Sequence, residues 1–175
     1  MDKVKIMLDS ENNKVVVIPK IIFKNKQNID WRKVEKYLAR YVGDMVEVIE
    51  TKDIVHIGKE LPSEYSSSEY TKRLKGGRAK TKANVVQGIR EIIETATNKK
   101  FSINKKEKHA EFAQKGWYYF NTRFAMPVYD NDIKTESYNI YSGCVVVNHS
   151  QYGKLYFYDL VDIKKEASKP LMIHI

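Results

Sequence analysis

One cysteine, Cys144, stands in 175 residues, so no internal disulfide can staple the fold. Glycine and proline together number 12, too few for a linker-like or low-complexity chain. No apolar run approaches the ~20 residues of a membrane span. The opening Met1-Asp2-Lys3-Val4-Lys5 lacks the apolar stretch of a secretion signal. No clustered His/Cys pattern offers a metal site, and there is no phosphate-binding glycine loop, no dinucleotide fingerprint and no carboxylate cluster of the two-metal type. These absences predict a cytoplasmic protein without membrane contact, metal or cofactor, organised as one main domain.

What the chain does have is concentrated positive charge. Lys72 to Lys108 holds 12 of the 31 lysines and arginines and three acids, Glu91, Glu94 and Glu107. That +9 equals the net charge of the whole chain, so the remaining residues are neutral in sum. Directly after it come His109 and the aromatic run Gly116-Trp117-Tyr118-Tyr119-Phe120-Asn121-Thr122-Arg123-Phe124. A positive field beside a histidine and stacking rings points to a polyanion, above all nucleic acid.

The hydrophobic pattern predicts an α+β domain. An N-terminal hairpin over residues 1–19 ends at Pro19. Asp30 is placed to cap a helix from Trp31 to Val42, with Gly43 as its stop. A second hairpin pairs 45–49 with 54–57. Pro62 and Ser66-Ser67-Ser68 mark a surface loop. Gly76-Gly77 reads as a turn, and one helix is expected from about Lys80 to Thr97, with Lys82 and Arg90 on its solvent side. Residues 99–108 read as irregular or as the start of a short helix. Three strand runs, 117–129, 137–149 and 154–164, joined by short links, predict an antiparallel meander. Alternation puts Phe120, Phe124, Met126 and Val128 on one strand face and Tyr119, Asn121 and Arg123 on the other. Cys144 reads as a small buried strand residue, and residues 169–175 as a tail.

Each candidate for chemistry has a plain structural alternative. His109, beside Lys105-Lys106-Glu107-Lys108, can serve as a general base if neighbouring cations keep it neutral; it can equally be an exposed loop histidine. Arg123 can fork onto a phosphate or pair with a carboxylate such as Asp159 or Asp162. Asp159 interrupts the apolar set Leu155, Phe157, Val161 and Ile163, and a partner in the core is its favoured role. Lys80, Lys82, Arg90, Lys105 and Lys108 are candidates to neutralise phosphates, with Trp117 and Tyr119 as stacking rings. With no metal signature, a nuclease built this way would use the 2′-hydroxyl of RNA as its nucleophile.

Three segments carry a family resemblance: Lys80-Thr81-Lys82-Ala83-Asn84-Val85-Val86-Gln87-Gly88-Ile89, the run Gly116 to Tyr129, and Leu155 to Glu166. They resemble a domain family of bacterial phages and conjugative elements within the barnase–EndoU–colicin–RelE (BECR) class of nucleases. The likeness spans about residues 18–168, so a domain over 20–168 is expected. It implies helices followed by an antiparallel sheet of about four strands. It implies His109, Thr122, Arg123 and Asp159 as catalytic positions and brings in Lys82 and Gly88. Asn121 departs from an acidic residue usual there, and Asn148 from a basic one. The resulting expectation is a metal-independent endoribonuclease of a phage or mobile element, acting in the host cytoplasm as a toxin or counter-defence factor, with CRISPR guide RNA as one fitting target. The alternative, favoured by the two asparagines, is a non-catalytic inhibitor of the anti-CRISPR kind that binds RNA or a ribonucleoprotein such as a CRISPR effector complex.

Overall fold

Local sequence signals set the first elements. β1 (Lys5–Leu8) and β2 (Lys14–Val17) form the expected hairpin, closed by Asp9, whose carboxylate accepts the backbone N–H groups of Glu11 and Asn13. Asp30 caps α1 (Trp31–Leu38) by accepting the Arg32 N–H, and the chain then tightens into a 3-10 turn over Ala39–Tyr41. Gly43, at φ +95°, ends the segment. β3 (Met45–Glu47) and β4 (Ile54–His56) make the second expected hairpin. The structure, a computed structural model, describes residues 3–25, 27–102, 116–166 and 171–172.

The middle of the chain departs from expectation. The Pro62–Ser68 stretch is helical, as α2 (Leu61–Ser67) followed by α3 (Glu69–Arg73). Pro62 sits in the first turn, where its missing N–H costs nothing, and Ser68 caps α3 by accepting the Thr71 N–H. The single helix expected from Lys80 is instead α4 (Gly76–Asn84), a 3-10 turn over Val85–Gly88 and α5 (Ile89–Glu94). The break lies at Gly88, where a Cβ would come within 2.9 Å of Ile18 Cδ1 and 3.0 Å of Val16 Cγ1. The backbone must approach β2 closely there. β5 (Thr97–Ser102) replaces the irregular stretch expected to begin at residue 99.

β6 (Trp117–Asp130), β7 (Ile133–His149) and β8 (Leu155–Lys165) form the meander, each pair antiparallel. Asn131 and Asp132 both take positive φ at the first link, the geometry of a tight two-residue hairpin turn. The sheet is wider than the meander and mixed. Its order is β1-β2-β6-β7-β8-β4-β3, and β5 also pairs with β6. The β2–β6 and β4–β8 pairings are parallel, which corrects the all-antiparallel expectation. The N-terminal hairpin is therefore built into the sheet, and β9 (Leu171–Met172) adds to the edge of β7.

All five helices among the described residues cover one sheet face. Val34, Leu38, Tyr65, Val86, Ile89 and Ile93 pack there on Phe120, Phe124, Val145, Phe157 and Leu160. β8 carries two extra residues against β7, one between the pairs Cys144–Val161 and Ser142–Lys164 and one at Tyr158. Each bulge reverses the alternation. Leu160 thus joins the core, while Val161, expected there, packs on the opposite face with Trp117 and Val146.

Candidate functional site

Two of the proposed site residues meet deep in the helix-side core. Lys82 and Asp159 are 0% and 2% exposed and form an ion pair of 2.5 Å between Nζ and Oδ1. Lys82 also donates to the Thr71 hydroxyl at 2.5 Å and lies 4.5 Å from the Tyr65 ring centroid and 5.0 Å from that of Tyr70. Asp159 accepts the N–H of Leu160. Burial pushes the lysine below its ordinary pKa and the aspartate above its own, each toward neutrality, and their mutual attraction opposes both shifts. Lys82 is thus not on the solvent side of its helix and cannot touch a nucleic-acid backbone from this position. It ties α4 to α3 and β8.

The other candidates lie around a cleft of about 810 Å³ on the far sheet face. Tyr119, Asn121 and Arg123 line it, as the alternation predicts, together with Ser142 and Cys144 of β7. The cleft exists because the edge of β6 has a gap. β5 pairs with β6 as far as Asn121, and β2 takes over at Phe124. Among the described residues no strand pairs with Thr122 and Arg123 on that edge. Thr122 belongs to the core face, yet it reaches the cleft through this gap. It is 4% exposed, and its hydroxyl oxygen has no hydrogen-bond partner among the described residues.

Electrostatically the cleft is mixed. Lys14, Lys100 and Lys164 face Glu50, Glu94 and Asp162. Arg123 is spent internally, because its guanidinium forks onto both Glu166 oxygens at 2.8 and 3.1 Å and also bonds Asp9. The expected carboxylate pairing is real, but the partners are Glu166 and Asp9, not Asp159 or Asp162. Burial pushes the Cys144 thiol up to about 11, so it is protonated and a poor nucleophile at neutral pH. Asp162 takes φ +53° at a bulge, which turns its carboxylate into the cleft.

The remaining candidates scatter. Trp117 is 8% exposed, its ring edge-on to Tyr158 at 4.8 Å, so it offers no free face for stacking. Arg90 is exposed and paired with Asp44 at 2.8 Å. Lys80 is half-buried on α4. His109, Lys105 and Lys108 lie outside the described residues.

Sequence reasoning missed Lys14, Lys100, Lys164 and Asp162 as cleft residues. Three strand lysines and a bulge aspartate carry no motif, and only the pairing register brings them together. Among the described residues no group of three or more His, Cys, Asp or Glu side chains is placed to hold a metal, and no helix is long and apolar enough to cross a membrane. No protein-family model, curated protein or solved structure matches the chain.

Proposed function

We propose that this chain binds an RNA backbone across the outer surface of its helical layer, as a binding and blocking protein. The observation that carries this reading is where the charge sits. Residues 20–42 and 72–90 hold 14 lysines and arginines, the buried Lys82 included, and two acids; elsewhere acids outnumber bases, 20 to 17. The two segments lie side by side. Asn84 accepts the N–H groups of Ile22 and Phe23 and donates to the Phe23 carbonyl, and Gln87 donates to the Lys20 carbonyl. Lys24, Lys33, Lys36, Arg73, Lys75 and Arg78 are all exposed. Such a layer neutralises phosphates and releases counterions without reading sequence. The candidate catalytic groups support binding over cutting, since Lys82, Asp159 and Arg123 already satisfy one another or neighbouring carboxylates.

The test is fluorescence anisotropy with a labelled 20-nucleotide RNA, in EDTA. Lys33→Glu/Lys36→Glu and Arg73→Glu/Lys75→Glu/Arg78→Glu should each weaken binding tenfold or more, while Lys134→Glu, on the β6–β7 hairpin, should not. Charge-reversed variants that bind like the parent would overturn the proposal. A second reading, a metal-independent endoribonuclease, draws on the gathering of Tyr119, Asn121 and the unpartnered Thr122 hydroxyl at the cleft. RNA cut in the same EDTA samples, and left whole by His109→Ala, would put that reading in first place.

A further inference from the structure

A further cavity, of about 670 Å³, opens at the start of α1, inside the basic segment 20–42. That volume lies within the range of ligand pockets, roughly 300–1,000 Å³. Trp31 and Phe23 line it, together with Lys24, Arg32, Lys33 and one acid, Asp30. The three cations are exposed and form no ion pair among the described residues. Asp30 serves its own helix, where its carboxylate accepts the Arg32 N–H.

The aromatic lining is held in place. Asn84 accepts the N–H of Phe23 and donates to its carbonyl, and the Phe23 ring stands edge-on to Tyr37 at 6.2 Å between centroids. Trp31 is the first residue of α1 and packs against the core, yet it is only half-buried. Among the described residues no other ring and no cation stacks on it. The chain's other tryptophan, Trp117, is 8% exposed and closed off by Tyr158. A core role accounts for the packed side of Trp31. It leaves over an indole open to a cavity rimmed by unpaired cations. Single-strand binders combine these two features, a ring that stacks a base and cations that track its backbone. Such stacking tolerates any base, because every base has a π-face. It requires a base free of its pair, which a single strand offers and a duplex does not.

We infer that Trp31 stacks one base of a single RNA strand, so that the protein prefers single-stranded RNA to a duplex. The inference rests on the RNA-binding proposal and adds the class of strand to it. Charge alone gives the opposite order, because a duplex presents its phosphates more densely.

Anisotropy and tryptophan fluorescence with three probes test it: an unstructured twelve-nucleotide RNA, its duplex with the complementary strand, and an abasic strand with the same number of phosphates. The single strand should bind about tenfold more tightly than the duplex or the abasic strand, and it should quench tryptophan emission. Trp31→Leu, which keeps apolar bulk against the core, should lose the quench and bind the single strand no better than the abasic one. The salt dependence should stay as in the parent. A merely structural tryptophan would instead weaken all three probes together, which overturns the inference. If the leucine variant does not fold, Trp31→Phe carries the assignment: it keeps a ring, so it should lose the quench and retain the order of the three probes. Duplex or abasic binding as tight as that of the single strand, or a quench that survives either variant, also overturns the inference. Salt-sensitive binding of all three probes without a quench would leave the backbone proposal intact while sinking this one. A quench and a single-strand preference indifferent to salt would keep the stacking site and sink the backbone proposal.

Discussion

Lys82 and Asp159 show how much one buried charge depends on another. Both are almost wholly buried, and each has the other as its main compensation. Removing one partner leaves the second charged and desolvated, which costs about 3–5 kcal/mol in comparable pairs. Lys82→Met should therefore lower the unfolding free energy by that amount. The double variant Lys82→Met/Asp159→Leu should recover most of the loss, because an apolar pair of similar volume needs no compensation. Urea denaturation of the parent, the single and the double variants measures both outcomes, and additive losses would show that the two side chains act independently. The sequence offered Lys82 as a surface cation because Val85, Val86, Ile89, Ile92, Ile93 and Ala96 read as the buried face of one helix, with Lys82 and Arg90 sharing the solvent side. Only the fold shows that the 82 position turns inward onto β8.

Arg123 does at the level of elements what Lys82 does at the level of residues. It joins the β1–β2 turn, through Asp9, to the residue following β8, through Glu166. Backbone bonds from Asn13 and Glu11, and the Arg123 guanidinium, hold the Asp9 carboxyl below its ordinary 3.8. A depressed pKa stabilises the fold above the unfolded value, and that contribution fades as pH falls through the folded one. The difference in thermal midpoint between parent and Asp9→Asn should be constant above about pH 5 and should vanish well below 3.8. A difference that grows on acidification would contradict the assigned sign. Elements with local signals were legible in the sequence: α1 through its Asp30 cap and Val34/Leu38 stripe, the meander through its apolar runs and polar links. β5 was not, because Thr97 to Ser102 buries no side chain fully and becomes a strand only through its pairing with β6. The bulges of β8 were not, because a one-residue insertion leaves no mark on composition. They moved Val161 and Leu160 to faces opposite those the alternation predicts. Of the site, the cleft face of β6 could be read from alternation, whereas the gap that exposes Thr122 depends on where two distant strands stop and start.

Over the whole molecule, positive charge gathers in two segments, residues 20–42 and 72–90. If about six phosphates contact the helical layer, the logarithm of RNA affinity should fall against the logarithm of salt with a slope near −4, at roughly 0.7 per contact for a single strand. Arg73→Glu/Lys75→Glu/Arg78→Glu should flatten that slope by about 2, whereas an unchanged slope would place the phosphates elsewhere. The sheet has a further consequence, which concerns time. Its first two hairpins, complete by residue 56, find their parallel partners on β6 and β8, of which the first begins at residue 117. At about 5–20 residues per second of synthesis, those hairpins wait several seconds or more for the strands that receive them. Through that interval β2 and β4 keep unpaired edges and apolar side chains such as Val16 and Val55 without a core. The newborn chain is therefore most open to chaperones, and to mispairing with its own copies, while its second half is still being made.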